Sequence, residues 1–438
     1  MNPMMRLSEQ LHDFFEITAT AKARTTKFVQ RASKLSGALF AKVLVLGFIH
    51  QPEASLNQLS QDAADLGVNI SAQGLDQRLT DKAVDFLKAL FVESLKRFRN
   101  PLPLDLPLLQ QFSALYLQDS STIALPDNLQ SEFAGCGGDG PVAALKVQLL
   151  FEFLRGNLQA IVWQAGRAVD QAYDDYVAQV QPDSLTVQDL GFFELAHFGA
   201  IAAKQAYFLS RFKHGTTLLD PETGGAVVDL LNDLAHETRN TFERDLRVGT
   251  EAQLPCRVCF FRLTQEQAEQ RRRKAKAEAQ RKGRTVSPRT LQLLDWSIYI
   301  TNVPATILSL PQVALLYRVR WQIELVFKLW KSVCALNRIA GLRRARVLCE
   351  LYAKMIGIVL THRLFAPLRL GRVELSLVKA RQLLQDRVMD IARHLDCSAK
   401  LSSILQTLAA HVLRFAVKTK RTRKPSTLQQ LQLEAPPA

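Results

Sequence analysis

Pro101, Pro103 and Pro107 break the chain, and the short apolar runs that follow them constrain the fold more than any other feature. Residues 114–119 (ALYLQD), 122–125 (TIAL), 145–154 and 159–164 read as strands, the last two forming a hairpin across Arg155-Gly156-Asn157. A glycine-rich loop, GCGGDGP at 135–141, lies among them. A helix at 172–181, a buried strand at 185–189 (LTVQD), a helix at 193–205 and a strand at 207–212 come next. Strands in succession, then strands alternating with helices, predict a mixed α/β sheet flanked by helices.

Residues 1–105 read as helical, with Leu and Ala at helical spacing. Within them, Ser55 caps a helix carrying Leu56, Leu59, Ala63 and Leu66. Gly67 ends it, and Ser71 caps a second helix carrying Leu75 and Leu79. Segment 55–80 therefore has helix-turn-helix spacing, and its second helix presents Gln73, Gln77 and Arg78, side chains suited to base edges and phosphates. A plain helical hairpin has the same pattern, so both readings stand. From 220 to 304 the character changes: strands at 242–248 and 256–263, a basic helical run at 269–284 (EQRRRKAKAEAQRKGR), and a strand at 296–302 (WSIYITN). A long helix is expected over 311–339, further helices to about 415, and a basic tail at 418–424 (KTKRTRK). No internal repeat is evident.

Composition excludes several classes. Hydrophobic residues are 47% and charged residues 22% of 438, which is ordinary globular usage rather than disorder. Six cysteines with a single CxxC, Cys256 and Cys259, make neither a disulfide framework nor a zinc set. The longest apolar stretch, Ala38 to Ile49, runs about twelve residues and contains Lys42, against the roughly twenty that a membrane span needs. The expectation is a soluble protein of a reducing compartment. Fifty-six Lys and Arg against forty-one Asp and Glu leave a net charge of +15, which suits a polyanionic partner, most often nucleic acid.

The residues with most chemistry lie in Tyr317 to Lys331, YRVRWQIELVFKLWK. On one ideal helix, Tyr317, Arg320, Glu324 and Lys331 fall in a stripe about 60° wide. Leu316, Val319, Ile323, Val326, Phe327 and Trp330 form the adjoining core face. Spacing alone permits a solvated ion-pair ladder or a phosphate grip beside a metal-binding carboxylate. Asp119 and Asp189 each end a strand, where a carboxylate is costly unless it caps a helix or binds a cation. Two strand-end aspartates and a helical glutamate in a basic protein suit two divalent metals and phosphoryl transfer on nucleic acid.

The spacing Tyr317-x2-Arg320-x3-Glu324-x6-Lys331 resembles the signature of the insertion-sequence-four family of DDE transposases. The contexts Asp119-Ser120-Ser121-Thr122 and Asp189-Leu190-Gly191-Phe192-Phe193 are similar to that family's first and second aspartate motifs. The resemblance covers about 110–345. It implies a ribonuclease H-like catalytic core with a mostly β insertion, plus helical N-terminal and C-terminal domains. The corresponding boundaries are 1–105 for the DNA-binding domain, 106–219 and 305–345 for the core, 220–304 for the insertion, and 346–438 for the C-terminal region.

The same resemblance implies that Asp119, Asp189 and Glu324 hold two Mg²⁺ ions, with Mn²⁺ able to substitute, for cut-and-paste transposition. That pathway nicks the element end, forms and resolves a hairpin, and transfers the strand to target DNA. The implied partners are double-stranded DNA, as terminal inverted repeats and target, and a second copy of the chain in a synaptic complex. The implied location is the bacterial cytoplasm, at the nucleoid, with no membrane partner. Tyr317, Arg320 and Lys331 are expected near the terminal phosphate, and Trp296 stacks on a flipped base or belongs to the strand core. Arg271, Arg272, Arg273 and Lys274 track a DNA backbone or form a solvated face. A DNA-binding regulator derived from a transposase and a metal-dependent DNA nuclease are the alternatives.

Overall fold

The computed structural model of the chain describes residues 3–31, 34–281, 283–369, 375–418 and 425–435. It is a mixed α/β structure. Its ten strands among the described residues are β1 (Leu115–Leu125), β2 (Ala143–Glu152), β3 (Asn157–Ala165), β4 (Leu185–Gln188), β5 (Tyr207–Arg211), β6 (Leu218–Asp220), β7 (Ala226–Val227), β8 (Thr241–Val248), β9 (Leu254–Arg262) and β10 (Trp296–Thr301). The chain divides into two compact units, one of 1–105, 120–168 and 323–424, the other of 106–119, 169–322 and 425–438.

The first unit is a helical assembly with the antiparallel hairpin β2–β3. Its helices start where serine and threonine hydroxyls accept otherwise unpaired first-turn N–H groups. Ser36 caps Gly37–His50, Ser71 caps Ala72–Arg78, and Thr80 caps Asp81–Arg97. Ser55 and Gln58 form a reciprocal capping box on Leu56–Asp65. The apolar stretch 38–49 is thus a core helix, and Gly47 lets it approach its neighbour: a Cβ there would lie 2.5 Å from Leu59. The helix Arg344–Phe365 is buried along nearly its whole length and packs on Gly37–His50 and Asp81–Arg97. Trp163 of β3 stacks on Tyr352 of that helix, with centroids 4.2 Å apart. No helix among the described residues is long and apolar enough to cross a membrane.

The second unit contains the strand order β1-β4-β5-β10-β9-β8-β6-β7. β1, β4 and β5 are parallel, and the remaining pairs are antiparallel. Strands of 220–304 continue this sheet, because β10 pairs directly with β5. Residues 114–119 and 122–125, expected as two strands, form the single strand β1. The helix expected at 172–181 shrinks to Tyr176–Gln179 after a 3₁₀ turn at Asp170–Ala172, a path that buries Tyr173 and Tyr176. Cys256 and Cys259 are buried free thiols three residues apart on β9, which puts them on opposite faces of the strand.

The long helix expected over 311–339 is broken. It runs as Leu310–Tyr317, a 3₁₀ turn at Arg318–Arg320, and Trp321–Ser332. Ala335 takes φ +46°, a left-handed conformation that prevents helix continuation past the following turn. The core face is nonetheless as the periodicity predicts: Leu316, Val319, Ile323, Val326, Phe327 and Trp330 are all buried.

Candidate active site

In the second unit, β1 and β4 pair in parallel at Leu115↔Leu185, Tyr116↔Thr186 and Leu117↔Val187. Carried two residues further, this register sets Asp119 opposite Asp189, on one face and about 5 Å apart in backbone spacing. On the other face Gln188 at the end of β4 donates to Gln118 within β1, both fully buried, and ties the two strands together; Asp119, expected at a strand end, therefore lies inside the longer β1. Pairing of β4 with β5 matches Gln188 to Ser210, which places Arg211 beside Asp189. Tyr299 of β10 is in turn the register partner of Arg211. One row of the sheet therefore reads Asp119, Asp189, Arg211, Tyr299. Arg211 thus joins the candidate row through register alone and is not named by the sequence analysis; its local signal is that it closes the run YFLSR.

Like charges on adjacent strands repel, so a nearby cation stabilises such a pair. Arg320 supplies one, its Nη1 lying 3.6 Å from Asp119 Oδ2, with both side chains largely buried. Asp189 caps a 3₁₀ turn at Leu190–Phe192, its Oδ1 accepting the Gly191 N–H at 2.5 Å. A Cβ at Gly191 would lie 3.0 Å from Asp189 Oδ1 and 3.3 Å from Asp170 Oδ2, so glycine leaves room for these carboxylates. Tyr317 is half-buried against Tyr299, with ring centroids 4.9 Å apart. Burial pushes its phenol above the ordinary range, Arg320 and Arg211 pull it down, and Asp189 pushes it up. The imidazole of His214 is pushed down by burial, and the nearby Arg211 and Arg271 act in the same direction.

In the first unit, Glu324 is half-buried in the opening turn of Trp321–Ser332. That helix is held by Trp330, whose indole N–H donates to His362 Nε2 at 3.1 Å. Lys331 donates to the Thr122 carbonyl at 2.9 Å, and burial lowers its pKa. Among the described residues no group of three or more His, Cys, Asp or Glu side chains is gathered into a metal-holding cluster. Asp119 and Asp189, on one face of neighbouring strands, nevertheless carry oxygen donors of the type that a hard divalent ion takes.

The other expected contacts divide. Trp296 is only 5% exposed, its ring edge-on to Phe242 and covered by Arg262, whose guanidinium lies 4.6 Å from the ring centroid. It occupies the strand core, and a base reaches it only if Arg262 moves aside. In the basic helix Gln265–Arg281, Arg271 turns inward to the Trp296 carbonyl and Ser297 hydroxyl, and Arg272 pairs with Asp295. Arg273 pairs with Glu269 at 3.4 Å, one helical turn away, and Lys274 is exposed. The run is therefore partly anchored structure rather than a uniform DNA-facing surface. Lys282 and residues 419–424 of the basic tail lie outside the described residues.

Helices Leu56–Asp65 and Ala72–Arg78 pack together as the helix-turn-helix spacing requires. Gln73 and Gln77 are exposed and Arg78 is half-buried. Beside them is a recess of about 420 Å³ whose rim carries Gln77, Arg78, Lys27, Arg31 and Lys82. None of these four cations makes an ion pair among the described residues.

A family model described as the transposase DDE domain matches residues 111–360, more than half of the chain. The chain is 29% identical over 392 residues to the transposase of insertion sequence element IS231B from Bacillus thuringiensis subsp. berliner, covering 84% of this chain and 82% of that one. It is 27% identical over 465 residues to the transposase of IS1151 from Clostridium perfringens, covering 99% and 97%. A solved structure of piggyBac transposase in a synaptic complex with hairpin DNA aligns with a TM-score of 0.46 and 9% identity over 96% of this chain and 87% of that chain.

Proposed function

The chain belongs to the DDE-domain transposases, and from that premise we propose that Asp119, Asp189 and Glu324 are its catalytic carboxylates. The enzyme is a DNA transposase, and its family implies dependence on a divalent metal. The observation that carries the assignment is the register that sets Asp119 opposite Asp189, with Arg320 already drawn to the pair.

We assign Mg²⁺ as the ion, two per site with Mn²⁺ as a substitute, held by Asp119, Asp189 and Glu324; bound there, the metals supply Lewis acidity to the attacking and leaving oxygens. The chain's own groups do the positioning. Gly191 N–H and the buried Gln118–Gln188 bond fix the two aspartates at one level of the sheet. Arg320 and Arg211 provide positive charge along the row, where a phosphodiester gains negative charge in the transition state. Tyr317, kept protonated by burial, donates a hydrogen bond to a phosphate oxygen. Lys331 holds the later part of β1 through the Thr122 carbonyl.

The substrate is double-stranded DNA: the element's terminal inverted repeats, then a target. The recess rimmed by Lys27, Arg31, Arg78 and Lys82 suits duplex phosphates, with Gln73 and Gln77 toward base edges. Two copies of the chain pair two ends in a synaptic complex. The family resemblance adds hairpin ends as the intermediate.

The test is incubation of a labelled duplex carrying an element end with Mg²⁺ and a supercoiled target. Cleaved ends joined to target support transposition, and closed ends on a denaturing gel support the hairpin. Hydrolysis without joining leaves a nuclease, and binding without cleavage leaves a regulator.

A further inference from the structure

The segment 425–435 belongs to the second unit, although about a hundred residues of the first unit separate it in sequence from the rest. Its helix, Thr427–Leu433, opens with a reciprocal capping box between Ser426 and Gln429. Seven residues are too few for a stable helix in water, so this one is held by what it packs on. Leu431 is fully buried and Leu428 is 5% exposed. The helix touches the 3₁₀ turn Pro107–Leu109, the helix Leu310–Tyr317 and the 3₁₀ turn Arg318–Arg320. Arg318 donates to the Gln430 side chain, and Gln312 Nε2 donates to the Ala435 carbonyl at 2.8 Å.

These contacts share a geometric consequence. Pro107–Leu109 begins the stretch that runs into β1 and Asp119, and Arg318–Arg320 carries Arg320. The segment therefore packs on the supports of both partners in the Arg320–Asp119 pair. The 3₁₀ turn is also where the helix loses its regular ladder of hydrogen bonds, so it depends on outside contacts to keep its shape.

We propose that residues 425–435 form an intramolecular strap that positions Arg320 against Asp119, so that docking of the strap sets the rate of strand cleavage and not the affinity for DNA. The proposal rests on the reading of Asp119 as a catalytic carboxylate. Leu428 and Leu431 are its anchors, and Gln430 aligns it on Arg318. A strap that lifts leaves the strands and the DNA-facing cations in place, but lets the turn at 318–320 drift. Displacement of a positioned group by about 1 Å costs on the order of a hundredfold in rate.

The test uses the full chain with Leu431→Asp, Leu431→Met and Gln430→Ala, measuring single-turnover cleavage of an element-end duplex, DNA affinity and amide hydrogen exchange. The expected result for Leu431→Asp is a cleavage rate lower by about tenfold or more, affinity within about twofold of the parent, and faster exchange confined to 310–320 and 425–435. Leu431→Met, which keeps the apolar anchor, restores the parental rate. A parental cleavage rate in Leu431→Asp, or an equal loss of rate and affinity, overturns the strap. If Leu431→Asp fails to fold, Gln430→Ala decides: a several-fold slower rate at an unchanged melting temperature supports the proposal, and a parental rate overturns it. Asp119→Asn is run alongside. Cleavage surviving in Asp119→Asn sinks the catalytic reading itself, whereas an inert Asp119→Asn beside a fully active Leu431→Asp sinks only the strap.

Discussion

Asp119 and Asp189 stand opposite each other on parallel strands, each two residues beyond the matched pair Leu117 and Val187. Neither carboxylate can be neutralised without unbalancing the row. Asp119→Asn and Asp189→Asn are each expected to lower strand cleavage by at least about a thousandfold, the scale on which electrostatic groups at a reacting centre act. Binding to an element-end duplex is expected to stay within about threefold. Parallel cleavage and gel-shift titrations check this, and an aspartate variant that cleaves at a tenth of the parental rate would remove that residue from the catalytic set.

Gly191→Ala tests the space beside Asp189. The added methyl lies 3.0 Å from Asp189 Oδ1 and 3.3 Å from Asp170 Oδ2, closer than ordinary contacts, so the carboxylates must shift. A slower cleavage rate, by about ten- to a hundredfold, is expected with little change in melting temperature, because the backbone at Gly191 is not in a glycine-only conformation. Parental kinetics would show that the carboxylate tolerates displacement.

Arg211→Gln removes the charge next to Asp189 in the row. Loss of a fixed cation at a phosphoryl-transfer centre is expected to lower cleavage by about a hundredfold, while Arg211→Lys recovers part of the rate. Because Arg211 also depresses the pKa of His214, the Arg211→Gln imidazole should titrate higher. Histidine-resolved NMR titration reads this second effect independently of activity.

His214 gives a stability prediction with a definite sign. Its folded pKa lies below the ordinary 6.5 because of burial, with Arg211 and Arg271 adding to the shift. Between the folded and unfolded values, the unfolded chain binds more protons, so stability falls as pH drops below about 6.5 and is restored above it. Urea midpoints at about pH 5.5 and about pH 7.5 should differ less in His214→Gln than in the parent. An equal difference in both proteins would assign the pH dependence to other groups.

What was legible in the sequence depended on whether the signal was local. Asp119 and Asp189 stood out because ALYLQD and LTVQD each end an apolar run on a carboxylate. Their alignment was not legible, since it depends on parallel pairing between segments about seventy residues apart. Arg211 was invisible for the same reason: only register gives it a neighbour. The break at Arg318–Arg320 left no mark, because YRVRW contains neither glycine nor proline and its apolar spacing runs straight through. Trp296 remained undecided from alternation alone, and it is Arg262 and Phe242, distant in sequence, that cover it. Arg271 and Arg272 looked like members of a solvated run, yet Ser297 and Asp295 draw them inward.

On the proposed reading of Asp119 as a metal ligand, the Arg320–Asp119 contact means that an ion bound there would share one carboxylate with a guanidinium. The backbone of the 3₁₀ turn at Arg318–Arg320 fixes where that guanidinium starts, so its head could turn from the carboxylate to an incoming phosphodiester without the turn itself moving.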